Sequence, residues 1–178
     1  ALTESGEAFT VGCSYGVVRI PDEAHDATEA LRLADLRMYE RKRRRTAAGR
    51  EGHTVLLRVI QERSPDLGTH LEGVGELAAS TARMLGLEPA AIEQTARAAE
   101  LHDIGKVGVP EAILNKAGPL DADEWAFIHR HTIIGERILS AVPALAPVGH
   151  IVRSSHESWD GTGYPDGLAG DAIPVAAR

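Results

Sequence analysis

An imidazole and a carboxylate stand side by side in the run Leu101-His102-Asp103-Ile104-Gly105-Lys106. A neutral imidazole gives one nitrogen lone pair to a metal, and a carboxylate can bridge two ions about 3.5–4 Å apart, the separation that two-metal hydrolases use. Adjacency at a helix end would aim both groups at one point. Lys106 lies roughly one turn further on, so helical geometry persisting through Gly105 would bring its ammonium to a phosphate oxygen. A His-Asp dipeptide alone is weak, because a helix-end histidine is more often a cap. The other histidines of the eight change that reading. His70 opens an upstream helical run, His131 lies in a downstream helix pair, and His156 precedes Glu157 and the glycine-rich run Trp159 to Pro165. Histidines from four helices can converge on one site.

Those helices are legible from periodicity and punctuation. Helical runs cover His70 to Leu85, closed by Gly86, and Pro89 to Leu101, with Pro89 in the first turn. Asp121 with Glu124 forms a capping box for a helix to about Arg130, and Thr132 to Val142 continues or restarts it. A last helix is expected near Leu145 to His156. Upstream, Phe9 to Ile20 reads as a strand ended by Pro21-Asp22. A helix capped by Asp26 follows, with Leu31, Ala34 and Met38 on one face and the basic run Arg41 to Arg45 at its end. The small, polar segment 46–54 is expected to be a linker.

Composition narrows the partners. A formal net charge of -7 argues against a general DNA or RNA binder. An acidic chain that handles a phosphodiester needs cations to supply positive charge. No apolar stretch approaches the ~20 residues of a membrane span, so no membrane contact is expected from this segment. The single cysteine, Cys13, is assigned a packing role in a reducing, cytoplasmic setting. His129 and His131 lie about 200° apart on a continuous helix. His131 is therefore taken as the ligand and His129 as a surface residue, the reverse assignment staying open. Trp125 and Trp159 are expected to pack helices together, while Tyr164-Pro165 reads equally as a rigid loop or a substrate-facing one. Glycines 161, 163 and 167 lack phosphate-loop spacing.

Together, His70, the His102-Asp103 pair, His131 with Ile134-Gly135, and the run His156 to Leu168 containing Gly163-Tyr164-Pro165 resemble the HD-GYP phosphodiesterases of the HD superfamily. Val109 to Lys116 is similar to the family's stretch after the HD pair. The resemblance covers about Val55 to Arg178 and implies a mainly α protein built as an all-α helical bundle. It implies metal ligation by His70, His102, Asp103, His131 and His156, with Asp103 bridging and Lys106 beside the reacting phosphate. The implied substrate is cyclic di-GMP, opened to linear pGpG. The nitrogen and oxygen donor set without thiolate suits two divalent ions such as iron or manganese.

Two departures qualify the resemblance. Ser155 stands where many members carry another histidine, which favours two metals over three and puts further cleavage to GMP in doubt. Asp66, one turn before His70, is weighed as an added ligand against a plain N-cap. The sequence also stops at Arg178, before the helix in which the family carries a further aspartate, so the HD-type bundle is expected to be C-terminally incomplete. Residues 1–45 resemble the last strand and helix of an α/β GGDEF-like domain without its signature loop. The expected organisation is therefore a GGDEF-like remnant at 1–45, a linker at 46–54 and an HD-GYP domain at 55–178. The expected partners are a cyclic dinucleotide, a GGDEF domain in cis or trans, and a second copy of the chain. A non-catalytic module that binds a nucleotide or a GGDEF partner is the first alternative. An HD phosphohydrolase of another cyclic dinucleotide is the second.

Overall fold

The computed structural model describes residues 3–5, 10–63 and 68–178, with the side chains of 1–12, 63–70 and 72 left out. The chain divides into two compact units, Ala1–Arg50 and Glu51–Arg178. In the first, β1 (Thr3–Ser5) pairs antiparallel with β2 (Thr10–Gly12), Glu4 opposite Val11. Helix α1 (Ala27–Arg63) begins where Asp26 Oδ1 accepts the Glu29 N–H at 2.8 Å, the cap its sequence position predicts. Arg37 holds the preceding segment to this helix, donating to the Val17 carbonyl at 2.5 Å and to Glu23 at 2.7 Å. The Arg37 guanidinium keeps the Glu23 carboxyl down at about 2.

The second unit is helical: the end of α1, then α2 (Gly68–Met84), α3 (Pro89–Leu101), α4 (Glu111–Leu114), α5 (Ala122–His129), α6 (His131–Ser140) and α7 (Ala146–Arg153). Helix α2 stops at Gly86, whose φ of +73° turns the chain so that the Leu87 N–H reaches the Ala82 carbonyl at 3.1 Å. The capping box opening α5 is complete, Glu124 N–H donating to Asp121 Oδ1 at 2.9 Å and Asp121 N–H to Glu124 Oε2 at 2.8 Å. Helix α3 packs on α2 and α7, and α6 packs on α7 and on a 3-10 turn at Ile104–Gly108. Leu101, Ile104, Leu139, Leu145, Val148 and Val152 lie fully buried where these elements meet. The apolar stripe of each helix is what places the ends of α3, α6 and α7 together.

Several expectations are corrected. The segment 46–54 is helical, inside α1, and not an irregular linker. Ala47, Ala48, Arg50 and Glu51 are good helix formers, and Gly52 is a packing position where a Cβ would meet Val142 at 3.2 Å. Of the strand expected over Phe9 to Ile20, the described residues give Thr10–Gly12 in β2 and leave 13–19 irregular. Cys13 is exposed, so it has no packing role. Trp125 and Trp159, expected to pack helices together, are 48% and 62% exposed. Trp159 lies under the Arg178 guanidinium at 5.3 Å, and Trp125 tilts against His129 at 5.6 Å. Among the described residues no helix is long and apolar enough to cross a membrane.

Candidate metal centre

Helix α3 ends at Leu101, and the next two residues leave it as a C-cap, His102, and the start of the 3-10 turn, Asp103. The turn lies against the first residues of α6. A Cβ on Gly105 would overlap the His131 carbonyl oxygen and crowd the Gly135 nitrogen, so only glycine allows this approach. It brings His131 Nε2 to 3.7 Å from Asp103 Oδ1. His156, three residues beyond α7, completes the group, its ring edge-on to His131 at 4.9 Å between centroids. Ligand atoms of Asp103, His131 and His156 all lie within 4.8 Å of one another. His102 Nε2 stands 3.5 Å from Asp103 Oδ2, on the carboxylate's other side.

The hydrogen bonds around these rings set their tautomers. His102 Nδ1 meets the Ala99 carbonyl at 2.8 Å and His131 Nδ1 meets the Ile128 carbonyl at 2.6 Å. A carbonyl only accepts, so each Nδ1 carries a proton, and in the neutral form of the ring Nε2 is the nitrogen with the lone pair. Burial pushes the His131 imidazole below its usual range, and burial with the neighbouring His131 brings His156 down to about 4. Both rings are neutral at neutral pH. Burial works to raise the Asp103 carboxyl, but His102 and Lys106, whose Nζ donates to Oδ2 at 2.7 Å, together outweigh it and hold the group ionised.

Asp103 Oδ1, His131 Nε2 and His156 Nε2 are buried and have no hydrogen-bond partner among the described residues. Each unsatisfied buried polar atom costs about 1–3 kcal/mol, yet three converge on one point. One carboxylate oxygen and two imidazole lone pairs fit a divalent cation of borderline softness. The donor set therefore fits a metal.

A model described as an HD domain matches residues 54–178. The chain belongs to the HD domain family. Its HD domain is 40% identical over 124 residues to a protein of Thermotoga maritima named cyclic di-GMP phosphodiesterase, covering 68% of this chain and 34% of that one. It is 39% identical over 136 residues to the cyclic di-GMP phosphodiesterase response regulator RpfG of Xanthomonas campestris, covering 72% and 35%. It is 38% identical over 125 residues to 3′3′-cGAMP-specific phosphodiesterase 2 of Vibrio cholerae, covering 69% and 24%. The chain thus spans about a quarter to a third of the length of these curated relatives.

Of the residues expected in the HD site, His102, Asp103, Lys106, His131 and His156 come together. His70 lies in the first turn of α2, and its side chain and all of Asp66 fall outside the described residues. Ser155 donates its hydroxyl to the Val152 carbonyl at 2.9 Å, turned onto its own helix. His129 is not the surface residue expected. It is half-buried and stacks on Tyr164 with centroids 3.9 Å apart and planes 15° from parallel, and Tyr164 in turn stacks on His156 at 4.9 Å and 6°. An angle of about 200° between the two histidines requires one helix through both, but α5 ends at His129 and α6 begins at His131.

Proposed function

We propose that this HD domain is a metal-dependent phosphodiesterase that opens cyclic di-GMP to linear pGpG in bacterial second-messenger signalling. The observation that carries the reading is the convergence of Asp103 Oδ1, His131 Nε2 and His156 Nε2, unpartnered and buried. Two divalent ions, iron or manganese, would be held by His70, His102, Asp103, His131 and His156, with Asp103 between them. When bound, such ions activate water and stabilise the charge that develops on phosphorus-bound oxygen. Asp103 and the neutral imidazoles supply the ligands. Lys106, 40% exposed at its side chain, turns from Asp103 toward a phosphate oxygen of the substrate and acts on the charge of the transition state. The Ser155 hydroxyl engaged with Val152 fits two metals over three.

The strand-then-helix order of Ala1–Arg50 supports a GGDEF-like segment over about 1–45, with its boundary to the HD-GYP domain inside α1. A GGDEF domain, a second copy of the chain and a cytoplasmic setting belong to the same proposal. A second reading keeps the chemistry and changes the base: several relatives, at 34–38% identity, are named 3′3′-cGAMP-specific.

The test is hydrolysis by protein loaded with Fe(II) or Mn(II), with cyclic di-GMP and 3′3′-cGAMP supplied separately and the products resolved by chromatography. The linear dinucleotide should form, and His102→Ala and Asp103→Ala should abolish it. Metal-loaded protein that binds both nucleotides and cleaves neither would establish a regulatory module instead.

A further inference from the structure

We propose that the loop 157–168 holds the His156 ring in its ligating orientation, with Tyr164 as a positioning residue backed by His129. The inference rests on reading His156 as a metal ligand. A histidine ring turns about Cβ–Cγ in a broad, roughly two-fold well, so the backbone does not fix its plane. A metal needs that plane fixed, because the Nε2 lone pair lies in it. His102 and His131 solve the problem by giving Nδ1–H to a carbonyl three residues back. His156 has no such hydrogen bond among the described residues. The carbonyl three residues before His156 is that of Arg153, and next to it the Ile151 carbonyl accepts Ser154 N–H at 3.1 Å and the Val152 carbonyl accepts Ser155 N–H at 3.3 Å and Ser155 Oγ at 2.9 Å.

Tyr164 supplies the missing constraint. Its ring lies 6° from parallel to His156, so rotation of the imidazole about Cβ–Cγ drives its edge into the phenol face. His129 closes the far side at 3.9 Å, and Tyr164 sits between two imidazoles with little freedom to tilt. Stacking leaves the imidazole edge, and therefore Nε2, open toward Asp103 and His131.

The loop is fastened where this requires it. Tyr164 N–H donates to the His156 carbonyl at 3.0 Å, tying the two residues together through the backbone. A Cβ on Gly163 would overlap Ser158 N and come within 2.5 Å of Glu157 Cα, so only glycine lets the loop fold back so closely. Glu157 accepts Asp166 N–H at 2.8 Å and Leu168 N–H at 2.9 Å, clamping both sides of the turn. Arg153 grips Asp166 through two nitrogens at 2.6 and 2.7 Å while holding Glu136 of α6 at 2.8 Å. Glu157, beside a ligand in sequence, thus spends both oxygens on backbone amides.

Titration with Co(II), followed by its visible absorption, tests this without substrate. Tyr164→Leu should weaken Co(II) binding by about 10–100-fold, the usual effect of losing a group that orients a ligand. Tyr164→Phe, which keeps the ring and loses the hydroxyl, should stay within about threefold of wild type. Folded Tyr164→Leu that binds Co(II) like wild type overturns the proposal, as does Tyr164→Phe failing alongside it. Should Tyr164→Leu not fold, His129→Ala decides: a loss of about 3- to 10-fold is expected, and unchanged affinity overturns the proposal. Wild-type protein that binds no Co(II) would remove the metal reading itself, a different failure.

Discussion

Replacing His131 with leucine separates the cost of the site from the cost of the fold. His131 is 1% exposed. It makes one good hydrogen bond, Nδ1–H to the Ile128 carbonyl at 2.6 Å, and leaves Nε2 buried without a partner. Losing the bond costs about 1 kcal/mol, whereas removing an unsatisfied buried nitrogen returns about 1–3 kcal/mol. Leucine is of similar volume, so repacking adds little. In EDTA the variant should therefore unfold with a stability from equal to wild type up to about 2 kcal/mol higher. Divalent metal reverses the order. A ligand at 100 times its dissociation constant stabilises the folded state by about 2.7 kcal/mol, and only wild type has the ligands to gain it. Urea denaturation followed by circular dichroism, with and without Mn(II), measures both. If His131→Leu lost more than about 3 kcal/mol in EDTA, or gained as much from Mn(II) as wild type, the orphaned nitrogen would not be there for a metal.

Lowering the pH from 7 should destabilise the metal-free protein. Unfolded histidines take up protons near 6.5 and folded His156 only near 4, so the unfolded state binds more protons between these values and stability falls as pH falls. Partial exposure reduces the His156 share of the loss to about 1–2 kcal/mol, and denaturation at pH 7 and pH 4.5 should show a larger loss in wild type than in His156→Phe, where the buried His131 still contributes. Lys106→Met should leave stability within about 1 kcal/mol, since its ion pair is half-exposed, while turnover falls by about 10²-fold or more with metal content unchanged; kinetics with metal analysis checks both. Gly105→Ala should cost at least ~3 kcal/mol, because its Cβ overlaps the His131 carbonyl, and thermal melting reads it directly. Glu157→Gln, which has one acceptor for two amides, should expose the loop to protease, visible as a nick within 158–168.

Much of this arrangement is written locally. The capping box at Asp121, the proline opening α3 and the glycine closing α2 act within one turn, so sequence alone places those boundaries. The His102-Asp103 pair and the outlying His131 and His156 are legible because few residue types bind metal and the helical pattern brings the helix ends within reach. What sequence hides is long-range. Gly52 looks like a linker residue until Val142 is seen against it, and Gly105 looks like a helix breaker until α6 is seen beneath it. His129 reads as a surface residue because the interruption of the helix at Arg130, between α5 and α6, leaves no mark in residue type. The strand expected over Phe9 to Ile20 was carried by β-propensity, which reflects the packing a strand receives more than the backbone's own preference.

The position of the donors at helix ends has a physical reason. The last carbonyls of an α-helix have no intrahelical partner and must find one. Ala99 and Ile128 carry such end carbonyls, near the ends of α3 and α5, and they accept Nδ1–H from His102 and His131, the Ile128 carbonyl alongside Arg130 N–H. Each imidazole thus caps a helix-end carbonyl with one nitrogen and leaves the other facing Asp103, so capping and tautomer selection are the same bond. Helix α7 ends differently: Ser154 and Ser155 fold their amides and a hydroxyl back onto its final carbonyls. His156 makes no such bond among the described residues, and its ring is instead stacked on Tyr164. The glycine-rich loop beyond it is long enough to return and pinned tightly enough by Glu157 and Arg153 to bring Tyr164 onto the ring. Helix-end carbonyls thus orient the rings of His102 and His131, while the ring of His156 lies against the loop.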